Sequence, residues 1–293
     1  MAAVIPAVTR ISPRVIRILG CNPSTETQQG TNTYIIGTGK RRILIDCGEA
    51  DIPEYINHLR AVLNYEGIDL AHIFISHSHE DHIGGLADVF EHVKDKTKHC
   101  QVWKHPSPKD SELNIPKHIE IEHLKDGQEF VVEGATIQIL RSQGHTDDHV
   151  AFHLLEDNAV FSGDCLMGDG IAVCEDLFDQ LHSLGEIANL NPSVVYPGHG
   201  NIIHNPMDAI HMYIQHQMQR ERMIIEFLLN NKSQSFNNED LVRLVFQNLP
   251  EKQVKTALTS INHHLLKLLK EDRVRKSNGK WQINDTIQLV ASY

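Results

Sequence analysis

Over the first two hundred residues, short β-branched and aromatic runs alternate with stretches whose apolar residues recur at helical spacing. The short runs predict strands over 15–19, 33–36, 42–45, 71–75, 135–140, 150–154, 159–161 and 194–196. The helical spacing predicts helices over 53–65, with Pro53 at its start and Gly67 beyond its end, over 85–93 and over 176–189. Several strands run directly into Gly, Asp or His, so polar side chains gather where strands stop. This order predicts two sheet layers wrapped by helices, rather than a regular βαβ repeat.

From Pro206 the pattern lengthens. A helix over 206–229 leads through the polar run Asn230-Asn231-Lys232-Ser233-Gln234-Ser235 to predicted helices over 239–247 and 253–270. A hairpin over 273–284 follows, turning at Asn278-Gly279, the dipeptide that a tight primed turn favours. Helices followed by a basic hairpin resemble a winged-helix module. Two domains are expected: 1–230, with 206–230 as a connecting helix, and a C-terminal winged-helix-like unit over 231–293.

Charge divides at the same place. The chain carries 27 Lys and Arg against 38 Asp and Glu, a net −11, which speaks against a protein that wraps nucleic acid with its whole surface. Residues 206–293, however, hold 12 basic against 9 acidic side chains, leaving 15 against 29 for residues 1–205, and within 252–280 the ratio is 8 to 2. That is a local basic face on an acidic protein. Five cysteines without a C-x-x-C pair predict neither a disulfide framework nor a cysteine zinc knuckle, and hence a reducing compartment. No apolar run is long enough to span a bilayer, so no membrane is expected as a partner. Residues 1–25 contain Arg10, Arg14 and Arg17 and no acid, the bias of a mitochondrial presequence, although 15–19 reads as a strand.

The chemistry lies at the strand ends. Ser76-His77-Ser78-His79-Glu80-Asp81-His82 closes an apolar strand with four potential metal ligands. On extended chain His77 and His79 project to one side and grip one ion, while Asp81 and His82 reach a second from the turn beyond. Three distant segments repeat the theme: Gly144-His145-Thr146, Gly163-Asp164-Cys165 and Gly198-His199-Gly200. In this order, each after a strand, they resemble the motif set of the metallo-β-lactamase superfamily over about residues 15–205. The resemblance implies a four-layer αββα sandwich. It also implies two Zn2+ ions per chain, one held by His77, His79 and His145, the other by Asp81, His82 and His199, with Asp164 bridging them around a shared hydroxide. Imidazole with carboxylate suits that metal. Lactam hydrolases of this fold commonly offer a cysteine ligand, which Asp81, His82 and Asp164 replace here, favouring a phosphodiester or thioester substrate. Cys165 is expected as a buried thiol.

Leu19-Gly20-Cys21-Asn22-Pro23, Gly30-Thr31-Asn32-Thr33-Tyr34, the run from Ile43 to Glu49 and Gly144-His145-Thr146-Asp147-Asp148-His149 extend the likeness to essentially the whole chain. With the winged-helix-like tail they are similar to the glyoxalase II-like group and, within it, to the animal β-lactamase-like 2 family. That likeness implies an endoribonuclease on single-stranded RNA in the mitochondrial matrix, with the cytosol as the other compartment and no obligate protein partner. Asp81 and His149 are the expected catalytic side chains. For His149 the readings are a donor behind the ligands, a substrate-facing acid or a solvated loop residue. Lys252, Lys255, Lys267, Lys270, Arg273, Arg275, Lys276 and Lys280 are expected to bind RNA phosphates, with His263 and His264 facing them. Two other readings stand beside this one: a glyoxalase II-type thioesterase acting on acyl-glutathione, and a nucleic-acid-binding protein with a structural metal site.

Overall fold

Strands buried on both faces need a layer on each side, and the alternation of side chains along them decides what each layer touches. The computed structural model describes residues 4–170, 173–246 and 250–284. The first sheet contains β1 (Val8–Ser12), β2 (Val15–Leu19), β3 (Asn32–Ile36), β4 (Arg41–Ile45), β5 (Asp69–Ile75), β6 (Gln101–Lys104) and β7 (Ile121–His123), in that spatial order. It is antiparallel from β1 to β4 and parallel from β4 to β7. The second sheet contains β8 (Glu129–Val132), β9 (Ala135–Arg141), β10 (Val150–Leu154), β11 (Ala159–Gly163) and β12 (Val194–Pro197), with β11 and β12 parallel.

Tyr34, Ile36, Ile43, Ile45 and Phe74 of the first sheet meet Ile137, Ile139, Val150, Phe152 and Phe161 of the second in one apolar cluster. The alternate residues Ile35, Leu44, Ile73 and Ile75 face outward onto α1 (Pro53–Tyr65) and onto α3 (Leu86–His92), which follows the short α2 (Glu80–Ile83). On the far side, Ala151, Val160 and Val195 pack against α4 (Leu177–Asn189) and the first turns of α5 (Pro206–Asn230). The αββα order is therefore the expected one. Asp176 caps α4 by accepting from the Phe178 and Asp179 backbone N–H groups.

A fourth cluster joins Ile224, Ile225 and Leu228 of α5 to α6 (Asn238–Val245), α7 (Glu251–Lys270) and a hairpin of β13 (Val274–Ser277) and β14 (Lys280–Ile283) around the buried Trp281. Helix α5 thus belongs to both cores. The hairpin turns as predicted, with Asn278 and Gly279 both at positive φ.

Strands β1, β6, β7 and β8 were not legible in the pattern, being three to five residues long and partly exposed. The helix expected over 85–93 starts earlier and is divided at Gly84-Gly85 into α2 and α3. Gln247, the expected end of the helix begun at 239, lies outside the described residues. No helix among the described residues is long and apolar enough to cross a membrane.

Candidate metal centre

Parallel strands end on the same side, and four such ends supply the ligands. His77 and His79 follow β5, and α2 then lifts Asp81 and His82 from its first turn. The β9–β10 connection carries His145, and the paired ends of β11 and β12 bring Asp164 and His199 side by side. His79 Nδ1 lies 3.0 Å from both His77 Nε2 and His145 Nε2. In the second group, His82 Nε2 is 3.2 Å from His199 Nε2, and Asp81 Oδ2 stands 3.2 Å and 3.1 Å from those two atoms. Asp164 lies between the groups, with Oδ1 3.4 Å from His82 Nε2 and Oδ2 3.5 Å from His145 Nε2 and 3.3 Å from His199 Nε2.

The residues fit a pair of divalent ions. Nitrogen and oxygen ligands bound tetrahedrally at zinc-like lengths stand about 3.3 to 3.5 Å apart, close to the spacing here. Asp164 Oδ1 is buried and accepts no hydrogen bond from the protein, a costly position for a carboxylate oxygen unless a cation stands beside it. Gly198 keeps the space open, since a Cβ there would run into Asp164 Oδ1 and lie 2.9 Å from His82 Cε1.

A shell of partners aims these ligands. Asp46, at the end of β4, accepts from the Ser76 N–H at 2.8 Å, the Ser76 hydroxyl at 2.9 Å and the His82 Nδ1–H at 2.8 Å, leaving His82 Nε2 for a metal. It does so at φ +58°, a left-handed conformation that is uncommon outside glycine. His145 donates Nδ1–H to the Val173 carbonyl at 2.6 Å. The Thr31 hydroxyl donates to Asp81 Oδ2 at 2.9 Å and itself accepts from Asn22 Nδ2 at 3.2 Å. Beneath the His145 turn, buried Lys104 pairs with buried Asp148 at 2.8 Å, which also accepts from Thr146 Oγ1. Sequence reading missed Asp46, Thr31, Asn22, Lys104 and Asp148 as contributors. Asp46 carried the signal that picked out Asp164, an acid closing an apolar run.

His149 corrects an expectation. It is fully buried, accepts the Asp164 backbone N–H on Nε2 at 3.0 Å and turns Nδ1 to Ser142 Oγ at 2.7 Å. Burial lowers its pKa to about 3, so it is a neutral support for the Asp164 turn and not a substrate-facing acid. Gly163 makes the approach possible, as a Cβ there would come within 2.6 Å of His149 Nε2. Asp81 lies among the ligands. Burial opposes its charge, but His82 and His199 hold its carboxyl well below the usual range, which removes it as a proton donor. Cys165 is buried as expected, and burial pushes its thiol up to about 12.

The two ligand groups differ in charge before any metal arrives. Burial keeps His77 and His79 below their ordinary pKa values, so their lone pairs are available near neutral pH. Burial also opposes charge on His199, but Asp164 and Asp81 outweigh it and raise its pKa to about 9; His82 is raised by Asp164, Asp81 and Asp46 in the same way. A metal entering the second group at pH 7 must displace these protons, so its affinity rises as pH climbs towards 9. Calorimetry of the stripped protein in buffers of different ionisation enthalpy should show proton release with the second equivalent and less with the first. Equal release from both would contradict the division.

The groups open onto a cleft of about 760 Å³. Besides ligands its walls carry Glu26, Glu49, Glu80, Asp169 and Glu175, and no Lys or Arg among the described residues. Three cations of the basic tail make ion pairs with acids of the fold. Lys267 pairs with Glu221 at 2.7 Å and Glu271 at 2.6 Å, Arg273 with the same two acids, and Lys270 with Asp176 and Asp179 of the catalytic portion. Lys252, Lys255, Arg275, Lys276 and Lys280 are exposed, with Lys276 4.5 Å over the Trp281 ring. His264 is buried and its pKa lowered to about 3, first by burial, so it does not face phosphate from solvent.

Two sheets, flanking helices and seven convergent ligands define a metal-dependent hydrolase fold, and the chain belongs to the metallo-β-lactamase superfamily. The model of that superfamily matches residues 27–199, and the Beta-lactamase associated winged helix domain matches residues 238–281. Over 279 residues the chain is 43% identical to the Beta-lactamase-like protein 2 homolog of Drosophila melanogaster, covering 94% of this chain and 95% of that one. To the Beta-lactamase-like protein 2 homolog of Caenorhabditis elegans it is 38% identical over 264 residues, covering 90% and 87%. A Beta-lactamase domain protein from Burkholderia ambifaria shares the fold with a TM-score of 0.75 at 17% identity, covering 94% of this chain and 93% of that one.

Proposed function

We propose that this hydrolase is a zinc-dependent endoribonuclease that cuts phosphodiester bonds of single-stranded RNA in the mitochondrial matrix. The observation that carries the reading is the seating of the winged-helix module beside the metal cleft. Lys270 of α7 reaches Asp176 at 2.7 Å, one residue from Glu175 in the cleft wall. A cleft lined with acids does not draw a polyanion along its length. One phosphodiester is accommodated at the ions while flanking phosphates lie outside, near the exposed Lys252, Lys255, Arg275, Lys276 and Lys280. A flexible single strand bends into such a site more easily than a duplex. The compartment follows from the family resemblance and the acid-poor residues 1–25, although Arg14 and Arg17 make contacts within the fold.

When bound, two divalent ions bring the pKa of water towards neutrality and stabilise charge on the reacting phosphate. The chain supplies the arrangement. Asp46, Val173 and Thr31 orient His82, His145 and Asp81, and His149 holds the Asp164 backbone. Zinc-loaded protein should cleave unstructured RNA and lose that activity on chelation. Replacing Arg275, Lys276 and Lys280 together by Ala should weaken RNA binding and reduce its salt slope by roughly 2. Turnover of acyl-glutathione without RNA cleavage would decide for the thioesterase reading instead.

A further inference from the structure

Outside the cleft, one more set of side chains brings metal-binding chemistry together. Helix α1 begins at Pro53 and places Glu54 and His58 four residues apart, on one face of the helix. The chain leaving β2 brings Cys21 to the same face, with Sγ 3.8 Å from His58 Nδ1. One ligand atom from each of Cys21, Glu54 and His58 lies within 4.8 Å of the others. For an ion bound tetrahedrally at ordinary zinc lengths, sulfur and nitrogen stand about 3.6 Å apart. The Cys21–His58 spacing of 3.8 Å is close to that value, and the exposed Glu54 brings its carboxylate within 4.8 Å of both.

We propose that Cys21, Glu54 and His58 form a third, mononuclear site for a zinc-like divalent ion, with water completing its coordination. A thiolate, an imidazole and a carboxylate match that borderline-soft class. On binding, the Cys21 thiol proton leaves to solvent and its contact with the Leu19 carbonyl, at 3.3 Å, gives way to the metal bond. The site is separate from the dinuclear centre, since none of the three residues lines the cleft. It is nevertheless connected to it. Cys21 precedes Asn22, which accepts the Thr31 N–H at 2.9 Å, and Thr31 holds Asp81. An ion here ties the loop carrying Asn22 to α1.

Cobalt distinguishes this site from the other two. The seven ligands of the dinuclear centre are imidazoles and carboxylates, so they produce no thiolate-to-cobalt charge-transfer absorption. The full-length chain, stripped of metal and titrated with Co2+, should develop that absorption beyond two equivalents. Cys21→Ser should abolish it while leaving the first two equivalents bound. His58→Ala should weaken the third equivalent by at least about tenfold. Absence of the band at excess Co2+ overturns the proposal, as does a band that survives Cys21→Ser, which would place it at another thiol. Zinc counting by mass spectrometry, three ions falling to two in Cys21→Ser, is the parallel readout.

Discussion

Asp164→Asn is expected to reduce hydrolysis by on the order of 10³-fold or more, the scale on which loss of one preorganised electrostatic partner acts in an active site. The substitution keeps the shape of the side chain and removes the charge from the point between the two ligand groups. Oδ1 faces His82 and Oδ2 faces both His145 and His199, and among the described residues no other carboxylate stands in the same relation to both groups. The turn should survive, because the Asp164 backbone N–H still donates to His149 Nε2. Two further readouts separate this effect from misfolding. Metal content should fall from two ions towards one in the dinuclear centre while circular dichroism stays unchanged. In the stripped protein His199 should titrate below its raised value of about 9, because Asp164 is the strongest charge holding it there. Full activity with two ions retained would remove Asp164 from its bridging place.

The second large effect is on stability. Phe152→Ala should cost about 3 to 5 kcal/mol, a large share of the 5 to 15 kcal/mol that holds most domains folded. Phe152 is completely buried between the sheets and stacks on Phe74, ring centroids 5.5 Å apart and planes 18° from parallel. The two rings belong to facing sheets. Each strand is paired on both sides, β5 with β4 and β6, β10 with β9 and β11, so the backbone cannot close over the space a phenyl ring leaves. Denaturant unfolding should be measured on stripped protein, because metal binding adds its own stabilisation to the folded state. Val131→Ala on the exposed edge strand β8 provides the contrast, with a change within about 0.5 kcal/mol. Similar midpoints for the two variants would mean that the inter-sheet core is not where the stability resides.

Much of the site was legible before folding because its ligands sit where apolar runs stop. His77, His79, Asp164 and His199 follow buried strands directly, and a polar residue at such a point either is exposed or has a function. Asp46 satisfies the same rule and was passed over as a ligand partner, since nothing local connects it to His82 thirty-six residues away. His149 showed the opposite failure. Four residues beyond the ligand His145 it reads equally well as acid, donor or loop, and only burial against Asp164 and Ser142 decides. The basic tail is a third case. Charge counting treats Lys252 and Lys267 alike, but Lys267 is occupied by Glu221 of α5 and Glu271, while Lys252 stands exposed.

The amino-acid sequence by itself determined most strands of the inter-sheet core, though not β8, together with the winged-helix hairpin and the residue types available at each strand end. These depend on backbone periodicity and turn geometry, which act over a few residues. Only the tertiary structure decided which side chains orient the ligands, which cations are spent on internal ion pairs and which cysteine meets a histidine on α1. Those relations join residues separated by tens of positions, and the stacking of two sheets with their parallel strand ends sets the distances between them.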